Sequence, residues 1–202
     1  MNLASDRQTL RISRATLSTM GSWDNGNSFC WVYSQAARVG MPLSQWLPQL
    51  RANLAAKSMG NGVVASFGAE ATAEVVGALQ ALADIMLQSV TPTDGSGISW
   101  AVLFPITANL STMRFFQLRA KGAFVVSAGW DAEKQSLAGP AEVLSEAGER
   151  FRLWLPWRAL NASAVRVTDS ATGGDVPLLF DARGRMSFDT KPRGSYSVTL
   201  AH

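Results

Sequence analysis

Carboxylates are the side chains through which this chain would carry out acid–base chemistry. The 202-residue sequence contains one histidine, His202, and one cysteine, Cys30. A Ser-His-Asp triad needs a histidine beside its serine, and a cysteine nucleophile needs a neighbouring base. The single cysteine also excludes an internal disulfide and a zinc site built from several cysteines. We therefore interpret Cys30 as a small buried apolar side chain and expect any catalysis to use aspartate or glutamate.

A short polar segment with one tryptophan, residues 23–28 (WDNGNS), is a candidate for ligand recognition. The amides of Asn25 and Asn27 can bind sugar hydroxyls in pairs, and the indole of Trp23 offers an apolar face to a pyranose ring. The sequence predicts these three residues as substrate-binding residues. Helix capping is the competing interpretation, because an aspartate or asparagine here can equally cap the helix that follows.

The composition indicates a folded chain without an obvious charged partner. Hydrophobic residues make up 47% of the sequence and charged residues 16%, against a typical charged share of about 25%, so intrinsic disorder is excluded for most of the chain. The net charge is only +3 and no run of basic residues occurs, so we expect no nucleic-acid partner. We also expect no membrane span and no secretory signal, since no apolar run is long enough for either.

The first part of the sequence has helical periodicity. Residues 29–39 are apolar on one side and end at a glycine, and Ser44 can cap a second helix. The clearest helix is predicted over residues 69–89. Its broad apolar stripe, which predicts burial on two sides, consists of Val75, Val76, Leu79, Leu82, Ala83, Met86 and Leu87. Residues 1–22 show only weak periodicity.

The second part of the sequence alternates with period two after the turn-forming segment 91–97 (TPTDGSG). The predicted strands are 98–104, 122–130, 151–155, 164–168, 176–180, 185–188 and 196–200. Short strands at this spacing are typical of an antiparallel β-sandwich, here of seven or eight strands. The predicted fold class is therefore α+β, with an N-terminal helical segment over residues 1–92 and an antiparallel β-sandwich over residues 97–202.

Three segments occur in an order that resembles glycoside hydrolase family 95, the six-hairpin family of α-L-fucosidases. They are residues 85–89 (IMLQS), 100–105 (WAVLFP) and 118–128 (LRAKGAFVVSA). In that family a helix end, an apolar strand with a proline and a further strand carry similar motifs in the same order. The resemblance covers residues 75–200 and, more loosely, residues 23–39.

The resemblance implies a particular architecture and reaction. Residues 1–92 would be the end of an (α/α)6 toroid whose concave end binds the sugar, and residues 97–202 would be the C-terminal β-sandwich domain. Fucosidase-type members invert the anomeric configuration with two carboxyl groups, and inverting enzymes hold these about 6.5–9.5 Å apart. The family uses no metal and no organic cofactor, so none is expected here.

The resemblance also implies one catalytic residue. When the family motif is aligned on residues 85–89, the fucosidase aspartate falls on Ala73, and a glutamate of closer relatives falls on Glu74. Glu74 is therefore the predicted catalytic carboxylate. The alternative is a solvated carboxylate near a helix N-terminus, where the helix dipole stabilises it by about 0.3–1 kcal/mol.

The chain has room for only a few of the helices of a complete toroid. We therefore expect it to be the C-terminal portion of a glycoside hydrolase-like protein that acts on or binds carbohydrate. The isolated chain would be inactive, and its uncovered helical face would self-associate or bind a missing N-terminal segment. The alternative is a non-catalytic carbohydrate-binding or interaction module, or an inactive fragment.

Overall fold

The chain contains a helical unit and a β unit. The computed structural model describes residues 2–3, 5–20, 23, 31–57, 72–92 and 95–201, without the side chains of residues 57 and 72–78. Two compact units divide the chain, Met1–Ile85 and Met86–His202. The first contains helices and the second contains two mostly antiparallel sheets, so the predicted mixed α+β class is confirmed. The predicted domains, 1–92 and 97–202, stay a prediction.

Four helices are described: α1 Arg7–Thr19, α2 Val32–Arg38, α3 Leu43–Lys57 and α4 Thr72–Met86. Helix α1 lies in the segment where the sequence shows only weak periodicity. Its start is stabilised by Asp6, whose carboxylate accepts hydrogen bonds from the backbone N–H of Thr9 at 2.9 Å and from the Thr9 hydroxyl at 2.7 Å. Only Ser13 and Leu17 of this helix are buried, which explains the weak apolar pattern.

Aromatic side chains form the core of the helical unit. Tyr33 of α2 and Trp46 of α3 are fully buried, with ring centroids 6.2 Å apart. The indole N–H of Trp46 is satisfied by the backbone carbonyl of Met41 at 3.2 Å. The polar atoms of buried Trp and Tyr side chains normally have such partners. Here the hydrogen bond joins a core side chain of α3 to the backbone just before that helix.

Helix α4 ends earlier than the sequence predicts. The expected helix reaches residue 89, but α4 stops at Met86 and residues 87–90 form strand β1. Strand β1 pairs antiparallel with residues 100–103, with Leu87 opposite Leu103. Leu87, Gln88 and the residues around them are compatible with a helix by propensity alone, so the long-range pairing decides their conformation.

The buried face of α4 also differs from the predicted stripe. Leu79, a member of that stripe, is 53% exposed. Among the described side chains of α4, residues 79–86, the buried ones are Ala81, Asp84 and Ile85, which are at most 3% exposed. The prediction missed this face because it contains a charged residue, which the helical apolar pattern does not count.

The β unit contains eleven described strands. They are β1 Leu87–Val90, β2 Trp100–Leu103, β3 Met113–Ala120, β4 Phe124–Asp131, β5 Ser136–Leu137, β6 Ala141–Ser145, β7 Phe151–Trp154, β8 Val165–Asp169, β9 Leu179–Phe180, β10 Met186–Phe188 and β11 Gly194–Leu200. One sheet has the order β1-β2-β7-β10-β9 and the other β3-β4-β6-β11-β8, with β5 paired to β4. All pairs are antiparallel except β2 with β7.

Aromatic contacts join strands of different sheets. Phe124 of β4 meets Phe151 of β7 edge to face, with centroids 4.9 Å apart, and Phe188 of β10 lies 5.3 Å from Tyr196 of β11. These four side chains are at most 3% exposed. The hydrophobic core of the β unit therefore contains side chains from both sheets.

Each predicted strand overlaps a strand of the structure, but four strands were not predicted. Strands β1, β3, β5 and β6 have no counterpart in the prediction. The segment 118–128, which resembles one family strand, is a hairpin: it contains the end of β3, a turn and the start of β4. The turn between the two strands consists of residues 121–123, and Gly122 has a φ of +90° there.

Candidate functional site

Of the four predicted site residues, Trp23 alone has a described side chain. Asn25 and Asn27 lie outside the described residues, and the backbone of Glu74 is described without its side chain. Glu74 is the third residue of α4, in the first helical turn, where the helix dipole favours a negative charge. The roles of Glu74, Asn25 and Asn27 stay predictions.

Trp23 is held firmly inside the helical unit. Its side chain is 8% exposed, and its indole N–H donates to the backbone carbonyl of Leu17 at 3.1 Å. Its ring meets Tyr33 edge to face, with centroids 5.2 Å apart. Trp23 also borders a polar cleft of about 610 Å³ that includes Gln45 and Gln49. These contacts fix the indole in one orientation, and its predicted role in sugar binding remains a prediction.

Among the described carboxylates of the helical unit, Asp84 accepts the most hydrogen bonds, and it was not among the predicted site residues. It is 3% exposed and accepts hydrogen bonds from the Ser34 hydroxyl at 2.6 Å, the Arg38 guanidinium at 3.0 Å and the Gln80 amide at 3.1 Å. Ser34 and Arg38 belong to α2, so Asp84 ties α2 to α4. A single acidic residue between Ala81 and Ile85 on a helix was the available sequence signal.

The bonding of Asp84 indicates a structural role. A candidate general base must have an oxygen within hydrogen-bond reach of the proton that it removes. Both oxygens of Asp84 already accept protein hydrogen bonds, one of them from a guanidinium. Burial of such a carboxylate is tolerated because its charge is paired and hydrogen-bonded.

A second polar cleft lies entirely within the β unit. Its volume is about 510 Å³, within the range of small-molecule sites. It is lined by Ser96, Gly97, Ile98, Ser99, Ala101, Lys121, Gly122, Phe124, Glu149, Arg150, Phe151 and Arg152. These residues come from the start of β2, the β3–β4 turn and the start of β7. No local motif joins them, so the sequence analysis did not find this cleft.

The charged side chains of this cleft differ in how they are bonded. Arg150 forms a two-point ion pair with Asp189, at 2.7 and 3.1 Å. The hydrogen bonds from Arg150 hold the pKa of Asp189 below its ordinary value, and those to Asp189 raise the pKa of Arg150. Neither Lys121 nor Arg152 has such an ion pair with a described carboxylate; they donate to the Thr91 hydroxyl and to the Arg150 carbonyl, each at 3.3 Å.

The described residues contain neither a metal-binding cluster nor a membrane-spanning helix. Within the described ranges, no group of three or more histidine, cysteine, aspartate or glutamate side chains is placed to hold a metal ion. Among the described helices, none has the length and apolar character needed to cross a bilayer.

Comparisons with known proteins assign no family to this chain. No family model and no curated protein matches the sequence. One solved structure that matches is the catalytic domain of GH30 xylanase C from Talaromyces cellulolyticus, with 12% identity over 45% of this chain and a TM-score of 0.30. The chain spans 21% of that xylanase. This neighbour is a glycoside hydrolase, but the likeness is too weak to carry an argument, and none of the comparisons supports membership of family 95.

Proposed function

We propose that this chain is the C-terminal portion of a glycoside hydrolase-like protein and acts on or binds carbohydrate. When the N-terminal part completes it, the reaction would be inverting hydrolysis of a glycosidic bond, with Glu74 as one of two carboxylates. Residues 1–92 would be the end of an (α/α)6 toroid, and residues 97–202 a C-terminal β-sandwich domain. The isolated chain would be inactive.

The observation that carries this proposal is the position of Glu74 in the chain. It stands in the first turn of α4, and α4 continues without a loop into β1 of the β unit. This junction coincides with residues 85–89, the first segment that resembles family 95. A helix N-terminus favours the ionised form of a carboxylate, which a catalytic base requires.

Two further observations support the proposed architecture. The contacts of Phe124 with Phe151 and of Phe188 with Tyr196 connect the two sheets, as the core of a β-sandwich does. On α4, the apolar side chain of Leu79 is 53% exposed. An uncovered apolar residue on this helix is compatible with a helical ring that further helices would complete.

Glycan binding tests the predicted sugar-binding residues. We expect the chain to bind fucosylated or galactosylated oligosaccharides on an array, and the double variant Asn25→Ala/Asn27→Ala to lose this binding, because paired amide–hydroxyl hydrogen bonds are removed. The matched control is Asn161→Ala, a change in the β unit. Equal binding by the double variant and the wild type would contradict the roles of Asn25 and Asn27.

Hydrolysis of aryl glycosides tests the catalytic role. If Glu74 is the base, any turnover of aryl fucosides or galactosides falls to background in Glu74→Gln, since the amide cannot accept the proton. Glu142→Gln, which changes an exposed carboxylate on β6, should leave turnover unchanged. Turnover that survives in Glu74→Gln would assign the base to another residue.

A non-catalytic carbohydrate-binding module is the second candidate function. The cleft of the β unit favours it, because residues of this chain alone line about 510 Å³ there. Glycan binding without any turnover, together with binding that survives Asn25→Ala/Asn27→Ala, would support the module over the hydrolase.

A further inference from the structure

We propose that the cleft of the β unit binds an acidic saccharide, a sugar whose ring carries a carboxylate as well as hydroxyl groups. This goes beyond the function proposed above, because the site differs from that of Glu74 and needs no catalytic carboxylate. It is named the acid-sugar cleft below and consists of the lining residues given above, from Ser96 to Arg152.

Two cations give the acid-sugar cleft its affinity for an anion. Lys121 and Arg152 both line it, and neither forms an ion pair with a described carboxylate. Their hydrogen-bond partners are neutral oxygens at 3.3 Å, a weak hydrogen-bond distance, and the charge of Arg152 also helps to hold the pKa of Asp189 below its ordinary value. A ligand carboxylate would replace such contacts by charge-assisted hydrogen bonds, which are about twice as strong as neutral ones. The third cation, Arg150, is already neutralised by Asp189.

Glu149 and two serines select a ligand that also carries hydroxyl groups. Glu149 lines the same cleft, and its carboxylate would repel an anion but accept hydrogen bonds from hydroxyls. Ser96 and Ser99 also line the cleft, where the Ser96 hydroxyl accepts a hydrogen bond from the Ile98 N–H at 3.3 Å and the Ser99 hydroxyl is bonded to that of Thr91 at 2.8 Å. A small inorganic anion satisfies the cations but is repelled by Glu149, whereas an acidic sugar satisfies both kinds of group.

The floor of the acid-sugar cleft is rigid. Phe124 and Phe151 line it and are 3% and 1% exposed, and they pack edge to face against one another. Gly122 approaches the Phe124 ring so closely that a Cβ at this position would lie 2.8 Å from the ring. The cleft is therefore formed before any ligand enters, which lowers the entropic cost of binding.

Calorimetric titration of the full chain with α-1,4-linked digalacturonate tests the proposal, with neutral α-1,4-linked galactobiose as the matched ligand. We expect digalacturonate to bind at least tenfold more tightly than galactobiose, and we expect added salt to weaken the binding of digalacturonate. Lys121→Gln and Arg152→Gln should each reduce its affinity about tenfold. Arg183→Gln, an exposed arginine outside the cleft, should not. Equal binding of the two disaccharides, or no binding of digalacturonate, would overturn the proposal.

A further variant separates an acidic sugar from a simple anion. In Glu149→Gln, we expect inorganic phosphate to gain more affinity than digalacturonate, because both ligands lose a repulsion but only digalacturonate also loses a charged acceptor for its hydroxyls. Phosphate or acetate binding as tightly as digalacturonate to the wild type would overturn the saccharide assignment. The result is independent of Glu74, Asn25 and Asn27, so failure here and failure of the proposed function can be told apart.

Discussion

In the helical unit, the carboxylate of Asp84 accepts hydrogen bonds from three side chains and thereby stabilises the fold. We expect Asp84→Ala to lower the free energy of unfolding by about 3 kcal/mol, because the buried hydroxyl of Ser34 and the more exposed side chains of Arg38 and Gln80 lose their shared acceptor. Urea denaturation measures this. Asp175→Ala, which removes an ion pair of two exposed side chains, should change little. Equal effects of the two substitutions would contradict the role of Asp84.

The pair of Asp181 and Arg185 predicts a dependence of stability on pH. Burial by itself raises the pKa of Asp181, but hydrogen bonds from the side chain and backbone of Arg185 and the backbone of Arg183 outweigh it, so the pKa lies below its ordinary value. The guanidinium of Arg185 donates to Asp181 at 2.6 Å and lies 4.0 Å from the centre of the Trp100 ring.

A lowered pKa means that the ionised carboxylate stabilises the folded chain. This contribution, about 1 kcal/mol for a partly buried pair, is complete above the ordinary aspartate pKa of about 3.9 and is lost as the pH falls below it. We expect Asp181→Asn to be less stable at pH 6 and to lose less stability between pH 6 and pH 3 than the wild type. Denaturation curves at both pH values measure the difference, and identical pH dependence in both proteins would refute it.

Among the elements, two turn glycines allow a matched test of backbone packing. Gly148 has a φ of +81°, and a Cβ there would lie 2.5 Å from the Cδ of Pro192. Gly173 has a similar φ of +69° but no atom within 4 Å of such a Cβ. Gly173→Ala should therefore lower the free energy of unfolding by about 1 kcal/mol, because alanine disfavours the left-handed conformation.

Gly148→Ala should cost more than Gly173→Ala because the same strain is joined by a clash with a proline ring. We expect a loss of about 2–4 kcal/mol in the free energy of unfolding. Thermal or urea denaturation of the two variants in parallel measures the difference. If Gly148→Ala were as stable as Gly173→Ala, the turn at residue 148 would not be packed against Pro192.

Local pattern predicted the elements whose residues alternate or recur regularly. Strand β11 was predicted because Tyr196, Val198 and Leu200 alternate and are buried. Strand β3 was not predicted, because its register shifts between Phe115 and Leu118, so that the consecutive residues Phe116 and Gln117 are both exposed. The bulge breaks the period of two on which strand prediction depends.

Long-range pairing set the features that local pattern could not predict. Strand β1 follows a helix and is held by strand β2, and the acid-sugar cleft combines Lys121 of the β3–β4 turn with Glu149 and Arg152 at the start of β7, which belongs to the other sheet. Side chains so far apart in sequence meet only through the sheet topology. The candidate residue Trp23 was found because it lies in a short polar segment. Glu74 was found because it aligns with a glutamate in the family that the sequence resembles.

At the scale of the whole molecule, exposed apolar residues of the helical unit predict self-association. Leu79 is 53% exposed, and Ile12 and Trp31, at 54% and 44%, border an apolar cavity of about 260 Å³. We expect the chain to form oligomers at high concentration, as measured by light scattering, and Leu79→Gln to reduce them, because exposed apolar surface drives association.

Leu179→Gln is the matched control for this prediction. Leu179 is equally exposed, at 53%, but belongs to strand β9 of the β unit. The substitution Leu179→Gln should leave the oligomers unchanged if association uses the helical face. A chain that stays monomeric at high concentration, or one whose oligomers respond only to Leu179→Gln, would contradict an uncovered helical face.

Carbohydrate recognition is the central claim, and titration of the wild-type chain with oligosaccharides tests it most directly. A calorimetric series with fucosylated, galactosylated and galacturonate-containing oligosaccharides needs no catalytic turnover and therefore applies to the isolated chain. The account predicts saturable binding of at least one of these ligands, with a dissociation constant of about 1 mM or lower. The absence of binding heat with every member of the series, by a chain shown to be folded, would contradict it.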